Sequence, residues 1–228
     1  MTMKYKTLFL FDIDNTLMKT PKIHDEALNI VFKKVYGVDA NIDMIEHSGK
    51  CDIRIIKEVL EKVGISADEI EQKMEEAIEV ATSYFIKNFK KKDVILLPGS
   101  LELVKVLFNN NVLLGIVSGN LRGIGERKLE LAGLSKYFKV KAFGSESYFK
   151  SELVKLALER AKEIGFVGDK NSTFLIGDTP YDAMAAKENG IKFIGVLTGR
   201  YREDRFREFK PFLLVKSLKD IKLEKLLK

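Results

Sequence analysis

A chain of 228 residues, 46% hydrophobic and 32% charged, can build a packed core under a soluble surface. Its length admits one large domain or a core carrying a smaller insertion. No apolar stretch reaches the roughly 20 residues a membrane span needs, and Met-Thr-Met-Lys-Tyr-Lys leads straight into an apolar run, so no membrane partner and no signal peptide are expected. The formal charge of +6 gathers near the C-terminal end, where residues 200–228 hold ten Lys/Arg against five Asp/Glu. Acids are interspersed there and no nucleic-acid-binding module is recognisable, so a solvated basic tail is expected rather than a nucleic-acid surface. The single cysteine, Cys51, cannot form an internal disulfide, which fits a reducing cytoplasm.

The first element is a buried strand over Leu8–Phe11, and it ends abruptly in Asp12-Ile13-Asp14-Asn15-Thr16. Two carboxylates two residues apart at a strand tip repel each other and call for a cation or a proton between them. From about Met18 to Asp93 helical spacing dominates. A helix over Asp25–Tyr36 stops at Gly37; Ile55, Ile56, Val59, Leu60 and Val63 form one apolar face; Ile70, Met74, Ala77, Ala81 and Phe85 form another, opened by a capping box of Ser66 with Glu69. This is an insert of roughly 75 residues, close to the smallest size that folds alone.

From Val94 strands and helices alternate. The expected order is a helix from Pro98-Gly99-Ser100 to about Asn109, strand Val112–Val117, helix Gly125–Ala132, strand Val140–Phe143, helix Ser151–Ile164, strand Thr173–Ile176, helix Pro180–Asn189 and strand Lys192–Val196. A peripheral strand at Phe212–Val215 and a last amphipathic helix follow. Alternation of this kind implies a Rossmann-like, mostly parallel α/β sheet with right-handed crossovers. The core is then split in sequence: residues 1–17 and 94–228 belong together, and residues 18–93 form an inserted α-helical cap. Three of the strands end in polar clusters, Asp12/Asp14, Ser118/Gly119/Asn120 and Gly177/Asp178, which a parallel sheet brings to one edge. Asp169 precedes its strand and is expected to be a turn residue at the opposite edge.

The series Asp12-x-Asp14-x-Thr16, Ser118 after Ile-Val, and Gly177-Asp178-x-x-x-Asp182 resembles the motifs of the haloacid dehalogenase-like hydrolases. Lys150, 28 residues before Asp178 at the start of a helix, stands where that family has its lysine, although Ser151 replaces the proline of phosphoglycolate phosphatase-like members. The position of the insert matches a type 1 cap, and His47-Ser48-Gly49-Lys50-Cys51-Asp52 resembles a Gly-Lys-Thr-Asp stretch of such caps, with Cys51 in place of threonine.

The resemblance implies a phosphatase with Asp12 as nucleophile, Asp14 as acid/base and Lys150 as a catalytic cation. It also implies Mg²⁺ held by Asp12, the Asp14 carbonyl and Asp178, with Asp182 holding a metal water or orienting Lys150. Ser118, Gly119 and Asn120 would bind phosphate, Thr16 would brace the loop, and Gly49 and Lys50 would face a small phosphorylated substrate of the phosphoglycolate kind. A β-phosphoglucomutase-like mutase is the alternative. For Asp14 to give up a proton it must first hold one, which crowded anionic surroundings would favour. Oligomeric state is not legible in the sequence.

Overall fold

The computed structural model describes residues 4–222. Six strands form one entirely parallel sheet: β1 (Leu8–Phe11), β2 (Leu113–Ser118), β3 (Val140–Phe143), β4 (Thr173–Gly177), β5 (Lys192–Val196) and β6 (Leu213–Val215). Their order is β3-β2-β1-β4-β5-β6, with β1 between β2 and β4. Phe11 is in register with Ile116 on one side and Ile176 on the other. Every residue of β1, β2 and β4 is buried, as expected of strands covered on both faces.

Alternate side chains of β1 serve opposite layers. Phe9 and Phe11 enter a core shared with Leu103, Leu107 and Phe138, whereas Leu8 and Leu10 enter one shared with Leu153, Ala157 and Ala186. Helices α4 (Ser100–Asn109), α5 (Arg122–Ala132), α6 (Lys150–Glu163) and α7 (Pro180–Asn189) connect the strands. Among the described residues no helix is long and apolar enough to cross a membrane.

The helical segment comprises α1 (Lys22–Val35), α2 (Asp52–Lys62) and α3 (Ala67–Asn88). Its apolar faces meet in a third core that also takes Leu121 and Ile124 from the start of α5. Its two connections to the sheet run side by side: Lys19 N–H donates to Ile95 O at 2.9 Å and Leu97 N–H to Leu17 O at 3.0 Å.

Several boundaries differ from expectation. Helix α1 starts three residues early, directly after Pro21, and α5 starts at Arg122 rather than Gly125 because Leu121 and Ile124 are drawn into the insert's core. Ser66 caps α3 by accepting from Glu69 N–H at 3.2 Å, but the Glu69 carboxylate accepts from Lys73 at 2.8 Å, so only half of the capping box forms. Asp169 caps the 3-10 turn before β4, as expected. The last amphipathic helix falls largely on residues outside those described; before them the chain makes a 3-10 turn at Leu218–Asp220.

Phe9 stacks on Phe174 with ring centroids 4.6 Å apart, at the heart of the sheet. Phe9→Ala is expected to cost about 3–5 kcal/mol, read as a lowered urea midpoint with an unchanged slope; a shift below a third of that would mean this layer repacks freely.

Candidate active site

The parallel register carries the ends of β1, β2 and β4 to one edge of the sheet. Asp12 follows directly on β1, its N–H donating to Ile176 O at 2.9 Å, and Asp178 follows directly on β4. One turn into α7, Asp182 completes a buried group whose carboxylate oxygens lie within 4.8 Å of one another.

The cation set among them is Lys150, at the first position of α6. Its Nζ donates to Asp12 Oδ1 at 3.1 Å and to Asp182 Oδ1 at 2.7 Å. The other oxygen of Asp182 accepts from Thr179 N–H at 3.1 Å and from Thr179 Oγ1 at 2.7 Å, so α7 is capped by the same residue that holds the lysine. Asp182 thus orients Lys150. Thr16 Oγ1 donates to Asp178 at 3.4 Å. Gly199 closes the other side of Asp178, where a Cβ would lie 1.8 Å from Oδ2.

Three carboxylates around one ammonium leave a net negative charge in a place with little water. Burial, together with the neighbouring carboxylates, raises the pKa of Asp12 to about 7 despite Lys150, and that of Asp178 to about 9. Burial opposes the charge of Lys150, but Asp12 and Asp182 outweigh it and raise its pKa. An all-oxygen donor set with unbalanced negative charge fits a hard divalent cation such as Mg²⁺. Asp12 and Asp178 would hold it, beside the Asp14 carbonyl.

Asp14 sits in the opposite environment. Burial alone would raise its pKa, but the charge of Lys128, with the hydrogen bonds from Lys128 and Asn120, lowers it instead. Lys128 Nζ lies 2.6 and 2.8 Å from its two oxygens, and Asn120 Nδ2 donates at 2.7 Å. The anionic surroundings expected to keep Asp14 protonated surround Asp12 and Asp178; those of Asp14 are cationic.

A cavity of about 260 Å³ lies above these groups, lined by Asp12, Asp14, Asn120, Lys150 and Asp178 from the sheet edge and by His24, Gly49 and Lys50 from the insert. Gly119 also lines it. Ser118 and Thr16, expected to meet substrate and to brace the loop respectively, are fully buried outside the lining; Ser118 Oγ accepts from Asn120 N–H at 3.3 Å. Asn120 is held by Asp14 and Lys128, and its side chain is thereby committed within the protein. Lys50 reaches the cavity wall with its Nζ 2.5 Å from Glu58. Cys51 is packed and its thiol pKa pushed up to about 12 by burial, which suits a packing residue and not a nucleophile.

Main chain as well as side chains seats the insert over the sheet edge. Asp52 N–H donates to Gly119 O at 2.8 Å, and a Cβ on Gly119 would lie 2.5 Å from Lys50 O, a contact only glycine permits. Arg200 adds an exposed bidentate pair to Glu46 at 3.0 and 3.1 Å. Lys128, His24 and Asp52 are site residues that sequence reasoning missed. The one available signal was a lysine at the i+4 position from Ile124, on the stripe that faces inward.

The family model for haloacid dehalogenase-like hydrolases matches residues 9–196. A pyrophosphatase PpaX of Oceanobacillus iheyensis is 23% identical over 217 residues, covering 93% of each chain. Among solved structures, a predicted phosphatase from Clostridium acetobutylicum superposes with a TM-score of 0.73 at 18% identity, covering 98% of this chain and 99% of that one. A β-phosphoglucomutase from Clostridium difficile gives 0.71 at 22%, covering 97% and 96%. The two structural likenesses carry the fold; the family model, spanning the acidic strand tip, Ser118, Lys150 and Asp178, carries membership. With its motifs gathered at one sheet edge, the chain belongs to the haloacid dehalogenase-like hydrolases and is an enzyme of that family.

Proposed function

We propose that this enzyme is a Mg²⁺-dependent phosphatase that removes phosphate from a small metabolite through an aspartyl-phosphate on Asp12, with residues 18–93 acting as its cap. The observation that carries this reading is the buried cluster of Asp12, Asp178 and Asp182 around Lys150 on the floor of a 260 Å³ cavity. A cavity at the lower end of the size range of ligand sites suits a small substrate. Phosphoglycolate-like phosphorylated acids follow from the sequence motifs, and inorganic pyrophosphate from the name of the Oceanobacillus relative.

In the first step an Asp12 oxygen attacks phosphorus, the bond from phosphorus to the leaving oxygen breaks, and Asp14, protonated when the anionic phosphate binds beside it, gives that oxygen its proton. In the second, water attacks phosphorus, Asp14 takes its proton, and the bond from phosphorus to Asp12 breaks to restore the carboxylate. Lys128 and Asn120 hold Asp14 as the carboxylate left by the first step, the form that accepts the proton of water in the second. Lys150 lies against Asp12 and balances charge where phosphate must approach. A bound Mg²⁺ would supply the remaining positive charge that lets a dianionic phosphate enter beside these carboxylates. The seated insert keeps bulk water from the intermediate.

Asp12→Asn is expected to abolish turnover, while Asp14→Asn lowers kcat by about 10²–10⁴-fold. Release of inorganic phosphate from a panel of phosphorylated metabolites and pyrophosphate, with magnesium present, is the measurement. Turnover retained by Asp12→Asn would refute the nucleophile. Phosphate shifted along a sugar without being released would indicate the mutase chemistry.

Metal occupancy can be read without activity. The folded-state pKa values of Asp12 and Asp178 lie above the unfolded 3.8. Their contribution to stability is therefore full below about pH 4 and is lost as pH rises through about 7 and 9. In chelator the Tm contribution of this cluster should fall from pH 5 to pH 9, and added Mg²⁺ should raise Tm more at pH 8 than at pH 5. Asp178→Asn should flatten both trends, and an equal Mg²⁺ effect at the two pH values would count against the site.

A further inference from the structure

Lys128 is a fully buried cation to which the reaction above gives no task. It projects from the middle of α5 into the seam between the sheet edge and the insert. Its ammonium has three hydrogens, and three groups receive them: the Asp14 carboxylate at 2.6 and 2.8 Å, Asn120 Oδ1 at 2.8 Å, and His24 Nδ1 at 3.2 Å. A lysine can only donate, so His24 accepts at Nδ1 and carries its proton on Nε2, which lies 2.9 Å from Asp52 Oδ2. The same Asp52 oxygen accepts from the N–H of Leu121, at the entrance to α5, at 2.7 Å.

These contacts close a ring. It leaves α5 at Lys128, crosses to His24 on α1, passes to Asp52 at the start of α2 and returns to the chain at Leu121. Asp14 hangs from this ring by Lys128 and by Asn120 Nδ2, which together reach both of its oxygens. Burying an ammonium costs several kcal/mol before pairing, and an apolar side chain would fill the space beside Phe85 without that cost. The ion pair is therefore poorly explained by stability alone, whereas it fixes the one carboxylate that has to address two reacting oxygens in turn.

We propose that Lys128 is a positioning residue for Asp14, and that His24 with Asp52 makes its hold depend on the insert being seated. With the insert down, Lys128 is anchored on both sides of the seam and Asp14 is presented to the cavity. With the insert lifted, His24 departs and Lys128 loses one of its three anchors. The inference rests on the acid/base role proposed for Asp14.

The test uses the full-length enzyme with magnesium and p-nitrophenyl phosphate, followed by rapid mixing. p-Nitrophenolate leaves without needing a proton, so loss of Asp14 alignment spares formation of the Asp12 phosphoenzyme and slows its hydrolysis. Lys128→Met should release close to one p-nitrophenolate per enzyme at a rate near that of the parent, then turn over about 10²-fold more slowly, with Asp14→Asn behaving alike. His24→Leu, which keeps the Lys128–Asp14 pair and, with neither donor nor acceptor, cuts its link to Asp52, should show the same burst with a smaller slowing of about 10-fold.

A folded Lys128→Met with parental kinetics, while Asp14→Asn is slow, overturns the positioning role and leaves the acid/base reading standing. If Lys128→Met does not fold, His24→Leu decides, and parental kinetics there overturn the coupling. Parental kinetics in Asp14→Asn overturn both readings together. A general packing defect would instead lower burst rate and steady rate in parallel, which also refutes the proposal.

Discussion

Three buried carboxylates crowd together at the end of the sheet with one ammonium paired to two of them, and the rest of the molecule is arranged around that imbalance. Asp12 and Asp178 arrive there because β1 and β4 are parallel neighbours in exact register. Lys150 arrives because α6 begins at the same edge, and Asp182 because α7 does. Each of these side chains would be costly to bury alone. Together they are tolerable only with further positive charge or with protons, and this requirement suits the lysine's neighbourhood to a divalent cation.

Asp12 and Asp14 are separated by one residue and stand in opposite electrostatic settings. Asp12 faces carboxylates and a lysine shared with Asp182; Asp14 faces an ammonium, an amide and an imidazole. Adjacent groups pushed in opposite directions are a recurrent way for one site to hold two roles. Only Ile13 lies between them, and directly after Asp14 the chain turns sharply through Asn15, at φ 53°, a conformation asparagine tolerates better than most residues.

How much of this was legible beforehand follows from what is local. The strand-tip aspartates, Ser118, Asp178 and Asp182 lie within a few residues of apolar runs, and parallel pairing converts that local pattern into convergence. Lys150 was legible from its place at a helix start. Lys128 was not, because it sits between Arg127 and Leu129 in a stretch of alternating charge that reads as a solvated face. Only the packing of α3 and α1 against α5 makes it interior, and that is a tertiary event separated by tens of residues. His24 and Asp52 escaped for the same reason: each looks unremarkable on its own helix. Ser118 shows the converse, a residue correctly drawn to the edge whose hydroxyl turns inward to its own loop.

The seating of the insert has a consequence for how such enzymes diversify. One of its contacts with the sheet edge is main chain on main chain, at Asp52 N–H, Gly119 O and Lys50 O. Substituting the wall residues around Lys50 and Glu58 leaves those amide and carbonyl groups where they are. One backbone contact is therefore compatible with many different chamber walls, and the side chains that line the chamber are free to change around it.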